Sequence, residues 1–529
     1  MPPILQTVGP MVTANRRRIW LAGFALFLTL MGAWSFATPL TAAPDEPAHI
    51  LRAASVVRGE FNGPDVVQFV KVEHFLSKQV VTGITLPASY ASLNTMYRCY
   101  AFNPATPAGC ARAVHGGEQV VAMTTAAGRY NPVYYLAVGW PSLLLKPRAS
   151  VYAMRLITAG LCAALLASAL ALASEWRRRG VAVLGVLAAA TPMVLFLGGV
   201  VNPNAVEAAA GILAWTAVLS VFMSPDPRLL NMRLAAAGVA SASLFCIRPL
   251  GLAWVAATIT VGLLVNERGT LRSIVQRRAF WLWTAVSGVA FIAGEVWNMT
   301  HPDHSSLNRA LTPYTVAAWT FHASGKYIDQ MVGNFGWLDT PSPEATMLLW
   351  IGAIVALALV ALTCSRRREA LPIVMIIVGI LVIPIVGSTL DYELGPIWQG
   401  RYLLAFAAGL PILSAFVIAR RDPLKPMARG RLVGITMLVL SIADLAAFYW
   451  ALHRYVVGLN GSLIPRHAHW QPPGTWALWV AVYVLALLAE FGLVHALQRR
   501  DQEADADQPW PAGLTATGAM PRTVGIPQA

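Results

Sequence analysis

Between residues 19 and 498 the chain returns repeatedly to apolar runs of about twenty residues, the length a helix needs to cross a bilayer core of roughly 30 Å. FALFLTLMGAWSF near the start, AAGILAWTAVLSVF in the middle and VAVYVLALLAEFGLV near the end are three of them. Backbone immersed in hydrocarbon must satisfy its own polar groups, which only helices and closed barrels achieve. Barrel strands would read as short alternating segments rather than continuous runs. With 57% hydrophobic and 12% charged residues, there is also too little polar side chain to cover a soluble domain of 529 residues. The chain is therefore expected to be an all-α polytopic membrane protein.

Spans are expected at 19–37, 149–173, 181–200, 203–223, 234–248, 249–265, 279–298, 345–363, 370–388, 401–420, 432–452 and 475–498, about twelve in all. The pair either side of CIRPLG, residues 246–251, reads as two short helices meeting at a proline turn. This parity puts both termini on one side. Arg16 to Arg18, Arg177 to Arg179, Arg277 with Arg278, Arg366 to Arg368, Arg420 with Arg421, and Arg499 with Arg500 fall on that same side, which the excess of basic residues marks as cytoplasmic. The net charge of +14 is thus accounted for by topology signals. No basic stripe with interleaved aromatics accompanies it, so no nucleic-acid partner is expected. The first run reads as a retained helix rather than a cleaved signal peptide, because TPLTAAPDE leads straight into a loop rich in candidate residues.

The expected organisation is one transmembrane domain over 1–498 and a disordered cytoplasmic tail over 499–529. Three stretches outside the membrane are long, 39–148, 299–344 and 453–474, and all lie on the extracytoplasmic face. The cytoplasmic loops are too short for a nucleotide-binding domain, and no Walker A or glycine-rich dinucleotide pattern appears. In the first loop PDEPAHILRAASVVRG reads as an amphipathic interfacial helix, with Asp45 and Glu46 in its first turn and Ile50, Leu51, Ala54 and Val57 on its apolar face. NPVYYLAVGWPSLLL, 131–145, reads as a second interfacial or re-entrant piece. Cys99 and Cys110 lie on the oxidising side, where a disulfide would clip the loop. Cys162, Cys246 and Cys364 fall in or at the end of apolar spans, and no Cys and His set has zinc-ligand spacing.

Four stretches, PDEPAHILRAA, NPVYYLAVG, GNFGWLDTPSPE at 333–344 and WQGRYLLAF at 398–406, occur in order across most of the chain. Together they resemble the domain-of-unknown-function 2142 family of bacterial multi-spanning membrane proteins. That resemblance implies a GT-C-like fold in a bacterial inner (plasma) membrane, and transfer of a sugar from a polyprenyl-phosphate donor to an extracytoplasmic acceptor in the cell envelope. It also implies an acidic residue just after the first span as catalytic base or metal ligand, the place occupied by Asp45 and Glu46. Members of the family commonly read Asn-Pro-Asp where this chain has Asn202, Pro203 and Asn204, so a carboxylate is missing there. Divalent-cation use is left open.

The residue chemistry agrees with that implication. A sugar hydroxyl is a poor nucleophile, and a carboxylate within about 3 Å can take its proton. A phosphate leaving group needs no acid, but it gains from a nearby cation. Arg248 and Arg401, each at the outer end of an apolar span, are the candidate phosphate ligands, with Gln399 beside the second. His49, one helical turn beyond Asp45, is placed to orient it or to touch phosphate. Trp337 offers a flat face to sugar CH groups, and Asp339 offers acceptors for hydroxyls. His322, Lys326, Asp391 and Glu393 share the compartment, Glu295 lies near the outer end of its span, and Asp444 and Glu490 read as partners between helices. The alternative function is a transporter or flippase of lipid-linked saccharides, which would place charges nearer the midplane and show repeated halves.

Overall fold

A computed structural model describes residues 10–72, 75–302, 305–307, 311–395 and 398–506. Among the described residues ten helices are long and apolar enough to cross a membrane. The bent pair Arg179–Ala189 and Pro192–Gly198, inclined by 65°, makes an eleventh if taken as one span, and Gly251–Leu264 is a shorter apolar helix. The protein is a multi-pass membrane protein, and each of the twelve spans expected has an apolar helix or bent helix pair at its place, ten of them long enough by themselves to cross.

Contacts at the two ends of the bundle check the parity. On one face Asp45, Arg248, Arg401 and Arg454 find partners among residues that follow odd-numbered crossings or precede even-numbered ones. On the opposite face Arg178 pairs with Asp422 and Asp505, Arg420 with Glu267, and Arg421 with Glu369. Gly251–Leu264 spans only about 21 Å at 1.5 Å per residue. It nevertheless crosses, because the Glu267 amide beyond its far end donates to the carbonyl of Phe222, the penultimate residue of Pro203–Met223. The two-helix reading of CIRPLG is therefore correct.

The long first loop departs from the helix-only expectation. Three antiparallel strands, β1 (Asp65–Val72), β2 (Phe75–Pro87) and β3 (Val120–Thr125), form a sheet in the order β1-β2-β3, with Ser306–Leu307 pairing on β2. Val80, Val81, Ile84 and Thr85 on β2 are the β-branched residues such a ribbon favours. Below the sheet lies the helix Glu46–Val56, in which every residue but Ala48 is buried. It is thus not a surface-lying amphipathic helix; Pro132–Gly139 and the strands cover the side expected to face water. Arg52, on that side, donates to the carbonyls of Phe61 (2.9 Å) and Tyr130 (3.2 Å). The piece after Asn131 is the short helix Pro132–Gly139 followed by a turn that exposes Trp140, Leu143 and Leu144. Cys99 and Cys110 form a disulfide.

At the other end of the chain the last helix runs Trp476–Ala506, past the point where the tail was expected to begin. Asp501 receives the Gly180 amide, and Asp505 pairs with Arg178 and Arg429, which holds this extension against its neighbours. The remainder of the predicted tail lies outside the described residues.

Candidate active site

The first crossing, Pro10–Ala37, ends where its last carbonyls lose their helical partners. Arg155, from within Pro147–Ala173, supplies donors for them. Its guanidinium reaches the carbonyls of Ser35 (2.7 Å), Thr38 (2.7 Å) and Pro39 (2.8 Å), and both oxygens of Glu46 (2.7 Å each). All five donors are used, and neither side chain of the pair is exposed at all (0%/0%). Glu46 also accepts the Val201 amide at 3.1 Å. Glu46, expected as a catalytic acid beside Asp45, thus has both carboxylate oxygens engaged by buried donors. Its carboxylate is committed to a buried brace that fixes the turn after the first crossing.

That turn is Thr38 to Asp45, with left-handed backbone at Thr41 (φ 65) and Asp45 (φ 60). Such conformations cost a non-glycine residue on the order of 1–2 kcal/mol. Asp45 stands at the N-cap of Glu46–Val56, yet its side chain makes no capping hydrogen bond. It pairs with Arg401 instead. Half of the Asp45 side chain is exposed, whereas Arg401 is 1% exposed, so the carboxylate opens into a recess floored by the guanidinium. Burial acts to raise the Asp45 carboxyl, but the Arg401 charge and, behind it, Arg248 prevail and hold it below the ordinary carboxylate range. Asp45 is ionised at neutral pH.

Around this pair the fold gathers a compact set of aromatic and cationic groups. The Tyr402 ring lies beneath both guanidiniums, 5.3 Å from Arg401 and 4.3 Å from Arg248, and Tyr130 lies 5.8 Å from Arg248. Arg401 also reaches the Pro44 carbonyl at 3.4 Å. Arg248 binds the Asn204 side-chain oxygen and lies 3.9 Å from Glu207, which accepts from the Trp254 indole at 2.9 Å. The Nε atoms of Arg401 and Arg248 are buried without a partner among the described residues, as are the side-chain oxygen of Gln399 and the indole nitrogen of Trp398. Several donors and one acceptor are thus left around the recess. The glycine of WQGRY permits close approach rather than flexibility. A Cβ on Gly400 would sit 2.8 Å from the Gln330 side chain, and the Gly400 amide donates to Gln330 at 2.8 Å.

His49 is buried and bonds Tyr135 through Nδ1 at 2.8 Å, with Tyr130 edge-on at 5.4 Å. Burial carries its imidazole down to about 3, with Arg401 and Arg248 acting the same way against Asp45. It is a neutral neighbour of Asp45 rather than a second cation. Asn202, not Asn204, caps the helix Pro203–Met223, and its amide nitrogen holds the Pro44 carbonyl at 3.1 Å. The missing carboxylate of the Asn-Pro-Asn sequence therefore leaves Arg248 facing a neutral oxygen.

Trp337 and Asp339 occupy a separate shelf. Asp339 accepts from the Phe102 amide (2.7 Å), the Trp337 amide (3.2 Å), the Thr340 hydroxyl (3.0 Å) and Arg454 (3.2 Å). Asp339, expected to offer acceptors to sugar hydroxyls, is thus already engaged and ties three segments together. Trp337 is half-buried, stacked on Tyr97 at 4.2 Å and tilted to the exposed Phe102. Its indole donates to Thr41 at 3.2 Å, which joins this aromatic shelf to the turn carrying Asp45. His322, Lys326, Asp391 and Glu393 are exposed and stand apart from the cluster, and Glu295 is half-buried along its span. Asp444, bonded to Tyr483 at 3.0 Å, and Glu490 are buried between helices.

Among the described residues no group of three His, Cys, Asp or Glu side chains converges. The immediate neighbours of Asp45 are two guanidiniums and a neutral imidazole, a donor set that does not fit a divalent ion. Arg155, Asn204, Glu207, Tyr130 and Tyr402 were not among the site residues expected. Arg155 and Glu207 had a signal, each being an ionised residue inside an apolar span.

Comparison with solved structures finds similarity to two crystal structures of ArnT from Cupriavidus metallidurans. With undecaprenyl phosphate bound, the TM-score is 0.41 at 14% identity, covering 92% of this chain and 78% of that one. In the apo state the TM-score is 0.38 at 14% identity, covering 91% and 77%. No curated protein matches. A family model described as "Predicted membrane protein (DUF2142)" matches residues 27–410.

Proposed function

The chain belongs to the DUF2142 family of predicted membrane proteins, and from that premise we propose that it transfers a sugar from a polyprenyl-phosphate donor to an acceptor of the cell envelope. The single observation that carries this reading is the recess itself. An ionised, half-exposed carboxylate stands against the buried guanidinium of Arg401 and the partly buried one of Arg248, whose Nε donors have no partner among the described residues.

In this reading the donor phosphate takes the open donors of Arg401 and Arg248, and Asp45 yields part of its hold on Arg401 as it does so. Asp45 accepts the proton of the acceptor hydroxyl while the hydroxyl oxygen bonds to the anomeric carbon. The bond from that carbon to the phosphate oxygen breaks, and its electron pair leaves with the polyprenyl phosphate toward the two arginines. Attack and departure on opposite faces invert the anomeric centre. A base so placed is worth roughly 10²–10⁴ in rate. Tyr402 fixes the spacing of the guanidiniums, and the Trp337 and Tyr97 shelf receives the acceptor. An apolar groove of about 380 Å³, lined among others by Ile328, Met331, Leu359, Ile377 and Leu404, supports lateral entry of a polyprenyl chain. The segment Leu404 to Ala408 on its wall follows directly on Arg401. The face carrying Asp45 is then extracytoplasmic, both termini are cytoplasmic, and the membrane is the bacterial inner membrane.

The experiment is direct. Undecaprenyl phosphate should bind the purified protein, and should bind Arg401→Gln and Arg248→Gln each at least about tenfold more weakly, the loss of one charge-assisted hydrogen bond. Asp45→Asn should bind it no more weakly than wild type, yet fail to restore envelope glycans to a strain lacking the chain. Unchanged binding in both arginine variants would overturn the proposal. The bent pair at Ala190 and the buried Asp444 and Glu490 are the features that favour transport instead. A protein that moves labelled lipid-linked saccharide across vesicles after Asp45→Asn is a transporter.

A further inference from the structure

On the face opposite Asp45, the crossings Pro10–Ala37, Pro147–Ala173, Pro203–Met223 and Leu230–Ile247 leave a groove of about 510 Å³ between them. Its walls are apolar and mostly small. Ala164, Ala171, Ala235 and Ala236 keep it concave, and Leu165 and Met232 complete it. Arg16 and Arg17 stand at its mouth. Trp20 lies beside them, with its indole on the Ser168 hydroxyl at 3.0 Å, the anchoring expected at headgroup level. The groove descends from there along the helices toward Leu213 and Val239.

The charge at the mouth is not balanced from within. Arg16 reaches one carboxylate, Glu175, at 3.9 Å, and Arg17 has no ion-pair partner among the described residues. Glu175 is itself shared with Arg179 and Arg233, and Asp226 is a second acid nearby. Arg179 also faces Asp501, so four guanidiniums meet three carboxylates and an excess of positive charge remains at the mouth. An apolar furrow at this depth is filled by a hydrocarbon chain, and a mouth of excess positive charge selects a chain that carries an anionic head. We propose that this groove is a binding site for an anionic glycerophospholipid of the leaflet opposite the active face. Its acyl chain lies against the alanines and its phosphate lies between Arg16 and Arg17. The inference does not depend on the catalytic reading, because none of these residues belongs to the recess around Asp45.

Two of the four helices that form the groove also build the Asp45 turn: Pro10–Ala37 leads into it, and Pro147–Ala173 carries Arg155. A lipid wedged between their far ends is thus positioned to hold the pair together.

The test uses the full chain, delipidated in detergent and titrated with phosphatidylglycerol or phosphatidylcholine, with bound lipid counted by native mass spectrometry. A membrane-surface arginine is worth about a factor of five toward an anionic lipid, so the pair predicts about a thirtyfold preference for phosphatidylglycerol at one site. Arg16→Gln with Arg17→Gln should abolish the preference. Ala236→Phe, which fills the groove and leaves every charge in place, should abolish retention of the tightly held lipid. Equal retention of the two lipids by wild type would overturn the proposal, as would a preference that survives both variants. Displacement of phosphatidylglycerol by an equal concentration of undecaprenyl phosphate would also overturn it, and would assign the groove to the donor.

Discussion

Asp45→Asn and Glu46→Gln make the same chemical change at adjacent residues, and the structure predicts opposite consequences. Glu46 accepts two hydrogen bonds of 2.7 Å from Arg155 and a third from the Val201 amide, with neither charged side chain exposed. Glutamine would turn an NH2 toward donors and leave the Arg155 cation balanced by carbonyl dipoles alone. Removing one partner of a buried ion pair costs about 3–5 kcal/mol, a large share of the roughly 5–15 kcal/mol that holds a typical protein folded. Asp45 differs on each count. Half its side chain meets solvent, asparagine tolerates the left-handed backbone as well as aspartate does, and its amide oxygen can still accept from Arg401. The expected cost is smaller than for Glu46→Gln, because Arg401 keeps the amide oxygen, the Pro44 carbonyl and the Tyr402 ring as partners. Thermal melting followed by tryptophan fluorescence in detergent should therefore show Glu46→Gln melting well below wild type, and Asp45→Asn close to it. Envelope-glycan complementation should show Asp45→Asn as the null. A Glu46→Gln protein that melts with wild type would refute the brace, and an Asp45→Asn protein that complements fully would refute the base.

Four further outcomes follow from the same geometry. Asn204→Asp would place a carboxylate on Arg248 and compete with phosphate, so undecaprenyl phosphate affinity should fall about tenfold with little change in melting; stronger binding would remove Arg248 from the site. Because Asp45 is held below its ordinary range, the acid limb of the transfer rate should lie below about pH 4. The stability this carboxylate contributes is fully present above its unfolded value and lost as pH falls through the lower folded one. A limb near pH 6 would point to another base. Cys99→Ser with Cys110→Ser opens a short loop and should cost about 3 kcal/mol in the folding of the shelf, read as a lower melting temperature that reductant reproduces in wild type. Trp337→Ala should raise the apparent KM for acceptor while leaving undecaprenyl phosphate binding intact, and weakened binding of the lipid would place Trp337 on the donor side.

Much of the architecture was legible in the sequence, and the reason is physical. In a bilayer the apolar run is the fold's unit, and arginine clusters report which end of each run lies where. Both are local signals, so even the short crossing at Gly251–Leu264 could be read. The site was legible in part. Asp45, His49, Arg248 and Arg401 were expected on one face, and the structure sets both arginines on Tyr402, Asp45 on Arg401 and His49 against Tyr135 and Tyr130. Glu46 and Asp339 look identical to functional acids in sequence, and only the three-dimensional accounting of their oxygens, on Arg155 and on Arg454 with the Phe102 amide, shows them to be braces. The β-sheet was missed because consecutive apolar pairs such as Val66-Val67 and Val80-Val81 break the period-two alternation that marks a strand, and nothing was assigned between the two helices expected near the ends of the loop.

The recess sits where it does because four chain breaks meet at one membrane level: after Ala37, after Gly198, at Arg248 to Leu250, and at Trp398 to Arg401. Every break strands helix-end carbonyls or amides that hydrocarbon cannot satisfy. The groups recruited to satisfy them are the site's own ions. Arg155 takes the carbonyls after the first crossing, Glu46 takes the Val201 amide, and Asn202 and Arg401 share the Pro44 carbonyl. Charges are thus admitted to this depth by their structural duty, and chemistry can be performed only by those whose duty leaves lone pairs or N–H groups to spare. By that criterion Arg155 and Glu46 are spent. Asp45, Arg401 and Arg248 are not, and they are the three that face one another.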